Sequence, residues 1–192
     1  VTASKEIEFV PLDKIPRYFR NIIITEKIDG TNAQVHVLDD GTVLAGCRTR
    51  YVTPQSDNFG FAAWVLEHED ELRNLGPGRH YGEWFGVGIQ RGYGITTRRF
   101  ALFNSTKWAD ARPACCAVVP VLFSGPHLAD GVRHSIDSLT SLGSSIAPGF
   151  LNPEGICIYH QASRHTYKVT IGDDGNKGQA LTARVHSERE AP

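Results

Sequence analysis

The spacing of apolar residues changes period several times along the chain, and each change marks an element. Ile22, Ile23 and Ile24 run into Glu26-Lys27, and after Asp29-Gly30 an alternation restarts in which Ala33, Val35 and Val37 are separated by Gln34 and His36. Residues 21–26 and 33–38 therefore read as strands flanking a tight turn, with Lys27 exposed at the rim of a sheet. Asp39-Asp40-Gly41 is a turn signal and residues 42–48 make a further strand, so the opening is expected to be a β-meander. The period then lengthens. Phe61, Ala62, Val65, Leu66 and Leu72 predict a helix over residues 59–75, capped by Asp57-Asn58 and stopped by Gly76-Pro77-Gly78.

Residues 81–85 and 100–104 read as strands joined by a glycine-rich segment over 86–94, and residues 115–123 as one buried strand. Val132, Ile136, Leu139 and Leu142 predict a helix over 127–143, followed by strands over 155–160 and 167–171. Pro11 and Pro16 make residues 5–20 an extended arm with a short turn. The polar end reads as a flexible tail over 179–192. No repeat or linker divides the chain, so one β-rich α+β domain over residues 1–178 is expected.

Composition narrows the class without naming a partner. The 192 residues are 41% apolar and 21% charged, as in ordinary globular proteins. No apolar run approaches the roughly 20 residues of a membrane helix, and the first residues lack the apolar core of a signal peptide. A cytoplasmic protein that does not engage membranes is the expectation. Cys47, Cys115, Cys116 and Cys157 form no Cys-x-x-Cys pair, so they are read as buried small apolar residues in a reducing compartment. A net charge of −1 confines any nucleic-acid surface to a local patch, with Arg48/Arg50 and Arg91/Arg98/Arg99 as candidates.

Six short stretches carry the chemistry. Glu26-Lys27-Ile28-Asp29-Gly30-Thr31-Asn32 comes first; a bare Lys-x-Asp-Gly is usually a solvated lysine beside a turn. Next comes Cys47-Arg48-Thr49-Arg50, then Tyr81-Gly82-Glu83-Trp84, then Phe100-Ala101-Leu102-Phe103-Asn104. Pro153-Glu154-Gly155-Ile156-Cys157-Ile158 and Tyr167-Lys168-Val169-Thr170 close the series. The glycines at 86 and 88 match neither a dinucleotide fingerprint nor a phosphate-binding loop, and read as a hairpin loop. In this order the stretches resemble the motifs of the ATP-dependent RNA ligases, a branch of the covalent nucleotidyltransferases, over roughly residues 20–178. Asn32, where DNA ligases and capping enzymes usually carry arginine, points to the RNA ligase branch.

The resemblance implies a nucleotidyltransferase fold, with antiparallel sheets framing a nucleotide groove. It implies that Lys27 is adenylated to a lysyl–AMP phosphoramidate, with Glu154 and Lys168 completing the catalytic set. A free lysine has a pKa near 10.4, so a cation must help it to act as a neutral amine. Glu26, Asp29, Gly30 and Asn32 are implied to contact ATP. Arg48, or alternatively Arg50, meets the ribose or the leaving pyrophosphate, and Glu83 takes the ribose hydroxyls. Phe103, with Phe100 as fallback, stacks on adenine; Lys168 and Thr170 face the phosphates. Glu154 is the implied ligand of Mg2+ or Mn2+.

Two positions depart from the pattern: Thr170 replaces a second lysine, for which Lys177 is a substitute, and Asn104 replaces aspartate. The implied substrates are RNA ends with a 5′-phosphate and a 3′-hydroxyl, with DNA or a hybrid left open. A partner protein supplying a C-terminal domain is also implied. The alternatives are a DNA ligase adenylation domain, or a catalytically weak nucleotide- or RNA-end-binding module of a larger repair assembly.

Overall fold

A computed structural model describes residues 9–126 and 129–172. Among these described residues ten strands form two sheets. The smaller holds β1 (Asn21–Lys27), β8 (Val121–Pro126), β9 (Gly155–His160) and β10 (His165–Thr170) in the order β10-β9-β1-β8. The larger holds β2 (Thr31–Val37), β3 (Val43–Cys47), β4 (Tyr51–Val52), β5 (Gly78–Gly86), β6 (Arg98–Leu102) and β7 (Cys116–Val118) in the order β4-β3-β2-β5-β6-β7. Neighbours are antiparallel except β6 and β7. Each sheet buries one face on its own core. Ile22, Ile24, Ile156 and Ile158 pack with Ile136 and Leu139 of α4 (Ala129–Leu142), which the helical spacing predicts. Ala33, Val35, Trp84 and Phe100 pack with Phe61 and Val65 of α1 (Phe61–Glu67).

The opening is not a meander. β1 and β2 lie in different sheets, so the turn after Lys27 carries the chain from one sheet to the other. The cause is Ile28, which is 5% exposed and enters a third core cluster with Phe85, Tyr93, Ala101, Val119 and Ala147. A hairpin would leave that side chain in water. The strand expected over 115–123 splits for the same reason. Val119 enters the same cluster and Pro120 has no N–H for a ladder, so β7 ends in one sheet and β8 begins in the other. The Pro120 carbonyl accepts a hydrogen bond from the Glu26 N–H at 3.0 Å, which staples the two crossovers together.

The helix expected over 59–75 is broken into α1, α2 (Glu69–Leu72) and a 3-10 turn at Arg73–Leu75. His68 leaves helical geometry at φ −108°, with its N–H and Nδ1 both at the Trp64 carbonyl. Asp57 does cap α1, accepting from the Ala62 and Ala63 N–H groups. β6 stops at Leu102, and Asn104 instead caps a short unpredicted helix, α3 (Ser105–Trp108), through the Lys107 N–H. Of the four cysteines only Cys116 is buried; Cys47, Cys115 and Cys157 are partly exposed. Residues 9–20 carry no regular element until a bend at 18–20. The expected tail over 179–192, and Lys177, lie outside the described residues.

Candidate active site

Lys27 is the last residue of β1, and strand alternation turns it away from the face that buries Ile22, Ile24 and Glu26. Register then decides what shares its face. Thr25 lies opposite Cys157, which lies opposite Lys168; Lys27 lies opposite Gly155, which lies opposite Thr170. Lys27, Cys157, Lys168 and Thr170 thus stand on one side of the smaller sheet. Glu154, one residue before β9, forms an ion pair with the Lys27 ammonium, with the side chains 21% and 16% exposed. Its carbonyl accepts from the Ile171 N–H at 2.8 Å.

The larger sheet supplies the other wall. Asn32 and Glu83 are register partners on β2 and β5. Glu83 is buried; its Oε1 accepts from the Gly30 N–H at 3.2 Å and its Oε2 from the Asn32 side chain at 3.0 Å. Burial pushes this carboxyl up to about 7, against the opposing effects of the Asn32 hydrogen bond and the Lys27 charge. Burial likewise raises the Cys157 thiol, with the Lys27 charge acting against it. Gly30 is required where it stands, because a Cβ there would overlap the Trp84 carbonyl oxygen. Ala101 is the register partner of Glu83, and Phe103 follows two residues later, 42% exposed, with its N–H donating to the Tyr81 carbonyl at 3.0 Å.

Asp29 turns sideways. Its Oδ2 accepts from Arg91 Nε at 2.9 Å, and its N–H donates to the Tyr93 hydroxyl at 2.7 Å. Arg91 Nη1 reaches the carbonyls of Asn152 and Pro153, both at 3.1 Å, and Asn152 Oδ1 at 3.0 Å.

Lys27, Gly30, Asn32, Glu83, Glu154, Lys168 and Thr170 therefore converge as the sequence motifs suggest. Glu26, Arg48 with its alternative Arg50, and Phe100 do not, and Asp29 is taken up by Arg91 as above. Glu26 points to the opposite face, 1% exposed, where its carboxylate accepts from the Ser144 hydroxyl and the Ser145 and Ile146 N–H groups. Burial raises its pKa against those three bonds. Arg48 lies exposed beyond β3 and makes no hydrogen bond or ion pair among the described residues, while Arg50 is held at Ser56. Phe100, the fallback base platform, is fully buried against Phe61 and Trp64 and belongs to the core. Nor do the arginines at 91, 98 and 99 form a free patch, because Arg98 is spent on the Val87 and Phe59 carbonyls. Tyr93 and Ser144 escaped the sequence reading, and Arg91 entered it only as part of a surface patch, not as a bridge to Asp29. Their only signal was polar residues beside glycines and serines in segments read as plain loops.

The donor set fits a divalent cation shared with a phosphate ligand. Glu154 Oε2 is buried and, among the described residues, accepts no hydrogen bond, its Lys27 ion pair apart. Among the described residues no group of three or more metal-ligating side chains forms a closed cage. The fit rests on the Glu154 carboxylate, since Mg2+ takes one or two carboxylates and fills its other positions with phosphate oxygens and water.

The family's sequence model for RNA ligase matches residues 20–170. No curated protein matches the chain. Among solved structures, a lysine-to-alanine mutant of the Naegleria gruberi RNA ligase with ATP and Mn matches with a TM-score of 0.56 at 17% identity, covering 78% of this chain and 49% of that one. An arginine-to-alanine mutant of the same ligase with ATP and Mn matches with a TM-score of 0.59 at 15% identity, covering 89% and 52%. This chain spans about half the length of those ligases, and the likeness establishes the α+β fold of two mostly antiparallel sheets. With the family match running from the start of β1 to the end of β10, the chain belongs to the RNA ligase family.

Proposed function

We propose that this domain is the adenylation unit of an ATP-dependent RNA ligase and forms lysyl–AMP at Lys27. The observation that carries the reading is the Lys27–Glu154 ion pair at the edge of one sheet, close enough to the buried Glu83 of the other for both charges to act on it. A solvated turn lysine needs neither a buried acidic partner nor a second carboxylate within reach of its charge.

In the proposed step, Lys27 Nζ loses a proton and bonds to the α-phosphorus of ATP. The bond from that phosphorus to the bridging oxygen breaks, and pyrophosphate leaves. Glu154 sits at the nitrogen, placed to hold the ammonium and to accept its proton. Glu83 offers a carboxylate to the ribose hydroxyls, and Lys168 brings positive charge to the face on which phosphate charge develops. Phe103 is the exposed aromatic available for the base, where stacking contributes ~1–3 kcal/mol. Glu154 would hold the divalent cation, which when bound supplies charge neutralisation on the phosphoryl oxygens. In the later steps AMP passes to a 5′-phosphate end and is displaced by a 3′-hydroxyl. RNA ends are the proposed substrates, as the family membership supports, and a partner or further domain to hold them is part of the same proposal.

Asn104, one of the two departures from the motif pattern, is accounted for as the cap of α3. The discriminating experiment is single-turnover sealing of a 5′-adenylylated RNA nick beside plain RNA binding. Joining that depends on divalent cation supports the ligase. Binding without any joined product favours the end-binding module.

A further inference from the structure

We infer that Arg91 is a positioning residue, tying the turn after Lys27 to the segment before Glu154 and so fixing the carboxylate against the lysine nitrogen. This rests on the roles proposed above for those two residues.

The need for such a tie follows from topology. Lys27 is held by the β1–β9 ladder, whose last pair is Lys27 with Gly155. Glu154 lies one residue beyond that ladder, at the end of a stretch from Gly143 that has no regular structure. The Ile171 N–H anchors its carbonyl from one side. Arg91 anchors the other side, since Nη1 meets both carbonyls of Asn152 and Pro153 as well as Asn152 Oδ1. The same guanidinium reaches back to Asp29, two residues after Lys27. One planar group therefore spans the two chain segments that must stay in register for Lys27 and Glu154 to meet.

Its own base is firm. Gln90, Gly92 and Tyr93 all have positive φ, and the loop closes on itself through the Ile89 and Gly92 N–H groups at 3.0 and 2.9 Å. Tyr93 is buried against Phe85 and Phe150, at 5.5 and 4.7 Å between ring centroids. Arg91 also comes from the loop between β5 and β6, so it braces the larger sheet's loop against the smaller sheet's catalytic edge. Lysine cannot replace it, because a single ammonium has no fork with which to serve Asp29 and two carbonyls together.

The test is the rate of lysyl–AMP formation under single turnover in wild type, Arg91→Ala, Arg91→Lys, Glu154→Gln and both double variants, with thermal melts alongside. Displacement of a catalytic group by about 1 Å costs on the order of a hundredfold, so Arg91→Ala is expected to slow labelling roughly 10- to 100-fold. ATP affinity is expected to change less than about threefold, since the loss is one of alignment. In the Glu154→Gln background the same substitution is expected to add almost nothing, because the group it positions is already disabled. Arg91→Lys recovers little, and it supplies the same cycle if Arg91→Ala does not fold. Losses that multiply in the double variant, or an unimpaired Arg91→Ala, overturn this role alone. No label on wild type overturns the ligase reading and this role together.

Discussion

Glu83 is the residue whose environment most changes its chemistry. Burial holds its folded-state pKa up to about 7 against an ordinary value of 4.5. Between those two values the folded protein keeps a proton that the unfolded chain has lost, so the carboxyl's contribution to stability falls as pH rises. Relative to Glu83→Gln, wild type is expected to lose stability from about pH 5 to pH 8, by up to roughly 3 kcal/mol. Denaturant melts across that range check it, and parallel profiles for the two proteins would refute it. Function moves the opposite way: ribose hydroxyls are best accepted by the ionised form, so ATP affinity is expected to rise through pH 7 in wild type and stay flat in Glu83→Gln. At this scale the sequence was informative about Lys27, Glu83, Glu154 and Lys168, each of which sits in a short motif. The motif resemblance put Glu26 at the nucleotide, whereas strand alternation sets it on the face opposite Lys27, where it is buried. Arg91 was read only as a surface patch residue, since the partners it bridges lie about 60 residues away in both directions.

Among the elements, two crossovers decide the architecture. Ile28 and Val119 each leave a strand and enter the third core cluster; Ile28 was read as part of a tight turn and Val119 as part of one buried strand, because local alternation does not record which sheet a strand joins. Seven of the strands lie where the pattern placed them, since half-buried strands alternate strongly. The short β4 and α3 carry too few residues for any period to show. The turn between β1 and β2 is the tighter constraint. Gly30→Ala is expected to cost about 1–3 kcal/mol by forcing the turn off the Trp84 carbonyl, as overpacking does. It should also loosen the Gly30 N–H bond to Glu83. A drop of several degrees in Tm together with weaker ATP binding is the expected result, and unchanged values for both would contradict the packing account.

For the whole molecule, the two sheets keep separate apolar cores and meet at a shared cluster, and at that junction the charges of Lys27 and Glu154 from one sheet act on Glu83 of the other, which Asn32 holds. The α+β class was legible in the sequence. The division into two sheets was not, because it depends on pairings between strands more than 100 residues apart, such as β1 with β9. The central claim is that this junction makes a covalent nucleotide on Lys27. The direct measurement is incubation of the protein, freed of any bound AMP, with ATP labelled at the α-phosphate and Mg2+ or Mn2+, followed by denaturing gel analysis beside Lys27→Ala. The account predicts a covalent label on wild type and none on the folded Lys27→Ala protein. A wild type that stays unlabelled with metal present, or a label that survives Lys27→Ala, would contradict it.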